Sequence, residues 1–314
     1  MRIAILGAGA MGMLFGGYLS KENYVVLIDK DRSKVEAINQ RGVSIKEPDG
    51  TVRSSGPRAA LSAEGMSAAD LVILFVKSMD SRDALRSSLG LIGPETQVLS
   101  MQNGAGHETV LKEFVRGERI ILGTTQHNSS IVGPGVIHHG GGGQTYIGAI
   151  DGDGQPLQSV QEAFTACGFP TEISDNVQRK IWEKLFVNSS ASALTAILQT
   201  TLGYILNNGD AWRLAKQLVK EAVAVANGDG MGFEEEKVLN DLQQLLERAS
   251  NGFTSIYADI RDCRKTEVDT ISGAVVAASR RNGVPAPTHE FVVKLIHALE
   301  ERQKSGTSHT FTCF

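Results

Sequence analysis

The six residues Gly7-Ala8-Gly9-Ala10-Met11-Gly12 constrain this chain more than any other stretch, because of what flanks them. Arg2–Leu6 before them reads as a short buried strand, and the apolar segment 10–21 reads as a helix. Tyr24–Ile28 reads as a second strand, giving β-α-β and therefore a parallel sheet with a right-handed crossover. A G-x-G-x-x-G alone is a weak signal. A strand directly before it and a helix directly after make it a dinucleotide-binding turn. In such a turn Gly7 permits the tight reversal, Gly9 lets the backbone approach a pyrophosphate, and Gly12 lets helix and strand pack closely. The helix start adds free N–H groups and a positive dipole end for the anion. Gly7, Ala8, Gly9, Ala10, Met11 and Gly12 are thus the candidate cofactor loop.

The end of the second strand bears on which dinucleotide binds. Asp29 lies 22 residues after Gly7, where a carboxylate usually accepts hydrogen bonds from the adenosine ribose hydroxyls and repels a 2′-phosphate. Lys30 and Arg32 beside it could supply charge to such a phosphate, and Asp31 opposes them. Both aspartates could equally cap the helix beginning near Arg32, a position Asp favours. The balance leans to NADH. Leu71–Val76 is a continuous apolar run, as expected of a central parallel strand, and Lys77 follows it at the carboxyl edge of the sheet. Lys77 either faces the cofactor or simply solvates the strand end.

Further strands are expected at Gln97–Leu99 and Arg119–Gly123, with helices at Arg32–Arg41, Asp80–Leu89 and Gly106–Val115. The glycine-rich stretch Val132–Gly148 holds β-prone pieces at Val136–His139 and Thr145–Ile147 and reads as an antiparallel edge of the same domain. Beyond residue 174 the texture changes. Helical periodicities cover Val177–Leu198, Ala211–Asn227, Glu234–Ser250, Thr270–Asn282 and His289–Gln303. We therefore expect a Rossmann-type α/β domain over 1–174 and an all-α domain over 175–314. A length of 314 residues suits two domains.

Charge and composition exclude several classes. A formal charge of −4 offers no basic surplus to nucleic acid. No uncharged apolar stretch approaches the ~18 residues of a membrane span. Five glycines interrupt the apolar N-terminal run, and no small-x-small cleavage site follows it, so export is not expected. Cys167, Cys263 and Cys313 are far apart and odd in number, which fits a reduced cytoplasmic protein rather than a disulfide framework. The seven histidines show no ligand spacing, and adjacent His138 and His139 would face opposite sides of a strand. No metal is expected.

Three pieces carry polar chemistry. Gln102-Asn103-Gly104 follows the strand at 97–99; Asn103 offers a donor and an acceptor, unless Asn-Gly merely makes a turn. Lys184, Asn188 and Ser192 recur every four residues among Trp182, Leu185, Phe186, Ala191 and Leu194, which sets them on one helical stripe. That stripe is either a polar groove wall or an ordinary solvated face. Third is Ser255 with the run Arg264-Lys265-Thr266-Glu267-Val268-Asp269. Glu267 could partner a lysine or a substrate hydroxyl, while Thr266-x-x-Asp269 could be a capping box for the following helix.

With these pieces assembled, the chain resembles the ketopantoate reductases (2-dehydropantoate 2-reductases) over essentially its whole length. The resemblance rests on the glycine loop, Gln102-Asn103-Gly104, Pro134-Gly135 with its glycine-rich strands, Trp182-Glu183-Lys184-Leu185 with Asn188, and Arg264–Asp269, in that order. It implies a catalytic lysine at Lys184, a glutamate orienting substrate at Glu267, and substrate contacts from Asn103 and Asn188. It also implies Ser255 as the group for the substrate carboxylate, Asn103 beside the cofactor as well, and a 6-phosphogluconate dehydrogenase-like C-terminal domain. Two departures matter. The family stripe commonly runs Lys, Asn, Asn, where this chain has Ser192 last, and family members prefer NADPH, where this chain offers Asp29 and Asp31.

The expected reaction is reduction of a 2-keto acid by NAD(P)H in a cleft between the domains, with 2-dehydropantoate the first candidate substrate. Lys184 would stabilise the developing alkoxide and deliver the proton, Glu267 would orient it or the substrate, and Asn188 and Ser192 would line the side-chain pocket. The two departures favour, as an alternative, an NAD-dependent D-mandelate-type dehydrogenase of the same family. A non-catalytic NAD(P) sensor is a third reading, but it has no use for Lys184, Asn188 and Glu267 together. The expected partner is a small 2-keto acid, without nucleic acid or membrane; a homodimer is left open.

Overall fold

The computed structural model describes residues 1–151 and 155–304, so Cys313 lies outside the described residues. The chain divides into two compact units, Met1–Gln102 with His107–Lys180, and Asn103–Gly106 with the chain from Ile181 onward. That division falls inside the helix starting at Val177 rather than before it, and the short Asn103–Gly106 loop goes with the helices. Among the described residues no helix is long and apolar enough to cross a membrane, and no group of three His, Cys, Asp or Glu residues could hold a metal ion.

In the first unit β1 (Arg2–Leu6), α1 (Ala10–Leu19), β2 (Tyr24–Ile28) and α2 (Arg32–Arg41) form as the periodicity requires. They are followed by β3 (Val43–Lys46), β4 (Val52–Ser55), β5 (Arg58–Ala60), β6 (Leu71–Leu74), α3 (Ser81–Ser87), β7 (Gln97–Ser100) and α4 (Glu108–Leu111). The unit is completed by β8 (Ile120–Thr125), β9 (Asn128–Gly133), β10 (Val136–Gly141), β11 (Thr145–Ala149), α5 (Gln155–Ala166) and β12 (Thr171–Ile173). The main sheet has eight strands in the order β12-β11-β8-β7-β6-β1-β2-β5. Ile3–Leu6 and Leu71–Leu74 at its centre are all 0–1% exposed, the burial that a sheet covered on both faces demands.

Several expectations change here. The stretch Val132–Gly148 is not one antiparallel edge. β11 lies inside the main sheet, antiparallel to β8 and parallel to β12. β9 and β10 leave it and join β3 and β4 in a second sheet, order β4-β3-β10-β9. Strands as short and polar as Val-Ser-Ile-Lys carry little periodicity, and their partner is chosen by contacts far away in sequence. The strand expected at Leu71–Val76 stops at Leu74, and the helix expected at Gly106–Val115 shrinks to α4. Asp31 alone caps α2, accepting from the Ser33 and Lys34 N–H groups.

A buried polar chain links the second sheet to α1. Tyr18 Oη donates to Glu47 at 2.5 Å, the other Glu47 oxygen lies 2.8 Å from His139 Nδ1, and His139 Nε2 lies 3.1 Å from His127 Nδ1. Arg53 also reaches Glu47, at 3.1 Å. Burial opposes the Glu47 charge, but the hydrogen bonds from Tyr18 and His139 hold its carboxyl below the usual range. Burial, then the His139 charge, push His127 below its ordinary 6.5. Its neutral form is therefore the folded one, and stability is present above 6.5 and lost on acidification below it. Thermal melting between pH 7 and 5 should show Tm falling, with a smaller slope in His127→Gln. An equal slope in the two proteins would remove His127 as the cause.

The second unit is helical: α6 (Val177–Val187), which begins in the first unit, then a π segment over Asn188–Ser192, α7 (Ala193–Leu198), α8 (Leu202–Asn207) and α9 (Gly209–Gly228). It continues with α10 (Glu235–Arg248), α11 (Ser255–Arg261), α12 (Ser272–Asn282) and α13 (Pro287–Lys304). Leu218, Val219, Val225, Leu246, Val275 and Ile296 are fully buried at its centre. The expected helix Val177–Leu198 is thus interrupted, and α8 and α11, too short to repeat a 3.6-residue pattern, were not anticipated.

Candidate active site

The three glycines of the first turn do different things. Gly7 has φ +103°, and a Cβ there would lie 2.7 Å from the Val76 backbone nitrogen. A Cβ on Gly12 would lie 1.9 Å from the Gly7 carbonyl oxygen. Both are required by the fold. Gly9 is different: a Cβ there meets no protein atom within 4 Å. Gly9 also begins α1 without any side-chain cap, so the first-turn N–H groups, over Ala10, Met11 and Gly12, are left to an outside acceptor. An uncapped helix start beside an open glycine face fits a dinucleotide pyrophosphate.

Asp29 does not cap α2. Its Oδ2 accepts the Ala8 N–H at 2.8 Å, and its Oδ1 accepts the Asp31 N–H at 2.9 Å. Lys34 Nζ lies 3.3 Å from both oxygens. The acid is thus fastened to the glycine turn itself. Lys30 and Arg32 are exposed, and Arg32 pairs with Glu36 at 3.9 Å. Lys77 stands half-buried one residue after Val76, the residue against which Gly7 packs. Gln102 Nε2 donates to the Val76 carbonyl at 2.8 Å and to Ser81 Oγ at 2.7 Å, holding the segment that follows β6.

In the helical unit Lys184 is half-buried near the end of α6. Burial pulls its ammonium down from 10.5 to about 8, and the negative charge of Glu267 opposes the fall. The sequence stripe assumed a regular α-helix. On one, each residue advances about 100°, so Ser192 would drift roughly 80° from Lys184. The π segment Asn188–Ser192 advances each residue less and winds Ser192 back toward that line. Asn188 is half-buried and Ser192 is 3% exposed, so this is not a solvated face. The Ser192 carbonyl accepts from Thr195 Oγ1 at 2.9 Å and from Thr254 Oγ1 at 3.5 Å. Thr254 in turn caps α11 through the Tyr257 N–H, which sets exposed Ser255, the first residue of that helix, one residue from Ser192's partner.

Asn103 and Glu267 are joined through Thr270. Its Oγ1 lies 3.4 Å from the Asn103 carbonyl oxygen and 3.3 Å from that of Glu267, while Ala105 N–H donates to the Thr270 carbonyl at 2.9 Å. Gly104 has φ +95°, and a Cβ on it would sit 2.0 Å from the Thr270 oxygen, so no other residue fits this approach. Asn103-Gly104 is a turn, but one pressed onto the Glu267 segment. The capping box is not formed. α12 starts at Ser272 after an uncapped Ile271, and the Thr266 hydroxyl is taken instead by Glu300 at 2.7 Å. Glu267 is 8% exposed. Thr270, Thr254 and Glu300 carry no signal in the sequence: single hydroxyls and a helix glutamate mark nothing until the fold pairs them.

A nucleophile with an adjacent base is not what this arrangement offers. It offers a lowered ammonium, a buried carboxylate, two amides and hydroxyls, which can polarise and protonate a carbonyl. Comparison with known proteins agrees in kind. Residues 3–152 match the family described as Ketopantoate reductase PanE/ApbA, and residues 176–300 match Ketopantoate reductase PanE/ApbA C terminal. The 2-dehydropantoate 2-reductase of Halobacterium salinarum is 33% identical over 298 residues, covering 94% of this chain and 98% of that one. That of Pyrococcus horikoshii is 34% identical, covering 96% and 98%. A solved structure described as the ternary structure of D-mandelate dehydrogenase with NADH and anilino(oxo)acetate superposes with a TM-score of 0.90 at 29% identity, covering 97% of this chain and 99% of that one. With both halves matched in order and these relatives aligned over nearly their whole length, the chain belongs to the ketopantoate reductase family.

Proposed function

We propose that this protein reduces a 2-keto acid to the 2-hydroxy acid with a nicotinamide dinucleotide, and that 2-dehydropantoate is the first substrate to test. The observation that carries the reading is the half-buried Lys184, lowered to about 8 beside the charge of Glu267, in a chain that also holds an uncapped glycine turn. The residues that would hold the dinucleotide are the Gly7–Gly12 loop, Asp29, Lys77 and Asn103. When bound, the nicotinamide supplies the hydride equivalent.

The side chains do the rest. Lys184 donates a hydrogen bond to the keto oxygen, stabilises the charge that develops there, and gives up its proton to complete the hydroxyl. A lowered lysine does this better than one at its ordinary value, because it stays protonated at neutral pH yet parts with the proton more readily. Glu267 keeps Lys184 charged between turnovers and orients it or the substrate hydroxyl. Asn103 and Asn188 position the substrate, Ser192 lines its side-chain pocket, and Ser255 takes the carboxylate.

Our reading favours NADH. Asp29 is fastened to the Ala8 N–H, which sets a carboxylate beside the glycine turn where a 2′-phosphate would be repelled. The NADH named with the D-mandelate dehydrogenase structure supports the same choice, and Ser192 in place of an amide supports a D-mandelate-type substrate as the second reading. A cytoplasmic setting accords with Cys167 and Cys263, both free; a homodimer is for sedimentation to test. The test of function is a steady-state screen of 2-dehydropantoate and aryl 2-keto acids with each cofactor. We expect kcat/KM to be higher with NADH. A tenfold advantage for NADPH, about 1.4 kcal/mol, would show that Lys30, Arg32 or Lys34 decides the choice. Binding of NADH without turnover of any 2-keto acid would replace the enzyme reading by the sensor.

A further inference from the structure

We propose that Glu300 is a positioning residue for Glu267, acting through Thr266; the proposal rests on the reading above that Glu267 meets the substrate or Lys184. Glu300 stands on α13, far outside the Arg264–Asp269 run, and is 8% exposed. Its Oε1 accepts both the Thr266 N–H at 2.8 Å and the Thr266 Oγ1–H at 2.7 Å. The same Thr266 hydroxyl accepts the Val268 N–H at 3.2 Å. The residues on either side of Glu267 are thereby held by one carboxylate–hydroxyl pair. The Glu267 carbonyl is fixed separately, accepting from the Thr270 and Ile271 N–H groups at 3.1 Å each.

Glu300 is not the segment's sole anchor. Val268 and Ile271, each 1% exposed, already root it in the helical core. What the Glu300–Thr266 pair adds is direct hydrogen bonding to the backbone on both sides of Glu267, through the Thr266 N–H and, by way of the Thr266 hydroxyl, the Val268 N–H, and that backbone carries the Glu267 side chain. A buried carboxylate is a costly way to satisfy one turn, since desolvating it works against folding. Its advantage is stiffness: charge-assisted hydrogen bonds are shorter and roughly twice as strong as neutral ones. A displacement of ~1 Å at a reacting group can cost ~100-fold in rate, so stiffness here has a functional return.

The experiment compares E300A, E300Q and T266V with the parent, and E300A again in an E267A background, by steady-state kinetics, NADH titration and melting. We expect E300A and T266V to lower kcat/KM for the 2-keto acid by about tenfold to a hundredfold, chiefly through KM, with NADH affinity unchanged. E300Q keeps an acceptor oxygen but not the charge, and should recover part of the loss. In the E267A background E300A should cost less than about twofold more, because the group it aims is gone. Wild-type kinetics in E300A, or a loss as large with E267A as without it, overturns the proposal. If E300A does not fold, T266V and E300Q decide: unchanged kinetics in T266V overturns it, and a loss in T266V with a smaller one in E300Q upholds it. Unchanged kinetics in E267A itself overturns the reading of Glu267, and this inference with it.

Discussion

Lys184→Ala is expected to lower kcat by at least ~100-fold while leaving NADH affinity nearly unchanged, since general-acid and electrostatic terms each reach that size. Cofactor affinity is spared because the glycine turn belongs to the first unit and Lys184 to the second. The pH profile gives a second signature. Reduction needs the ammonium, so activity should be full below about 8 and fall as the pH rises through it. Glu267→Ala removes the charge that opposes the fall and should move this limb toward lower pH. Stability should respond in the opposite sense to activity. A folded lysine at about 8 against 10.5 unfolded binds fewer protons than the unfolded chain between those values, so its burial works against folding at neutral pH, by at most a few kcal/mol. Lys184→Met should therefore be inactive, and its stability should lose the rise with pH between about 8 and 10.5 that the parent shows. Turnover at the parental rate in either variant would end the proposed mechanism.

Gly9→Val is expected to abolish dinucleotide binding and leave the melting temperature nearly unchanged. The prediction follows from the contrast among the three glycines. Gly7 and Gly12 face backbone atoms at 2.7 and 1.9 Å, so replacing them should damage the fold as well. Gly9 has extended φ and ψ of −72° and −172° and open space beyond its missing Cβ, so valine fits the protein and obstructs only a ligand. Fluorescence titration with NADH measures the loss. Unchanged affinity would remove the cofactor loop from the reading, whatever the fate of Lys184.

How far the site could be read from the sequence depended on the range of the interaction involved. The glycine turn, Asp29 and the Lys184–Asn188 spacing were legible because a turn, a fingerprint spacing and a single helical turn are all local. Val177–Leu198 shows where such reading stops. Its apolar period is helical throughout, and although Asn188, Ser189, Ser190 and Ser192 are weak helix formers, nothing local specifies that they wind as a π turn. The capping box failed for a related reason. Thr266 has the right neighbour for it, but the hydroxyl found a better acceptor in Glu300, 34 residues away. In the same way Val136–His139 was recognisable as β, yet only long-range pairing with β3 put it in a second sheet.

The sequence by itself determined the class: a dinucleotide turn at the start, a parallel sheet behind it, and helices after residue 174 bearing Lys184 and Asn188. These follow from backbone geometry and hydrophobic period, which any short window of residues displays. The tertiary structure decided what those residues are worth. It tied Asp29 to Ala8, pressed Gly104 against Thr270, and buried Lys184 within the field of Glu267. Proton affinity and aim depend on desolvation and on partners tens of residues away, and neither exists until the chain is folded.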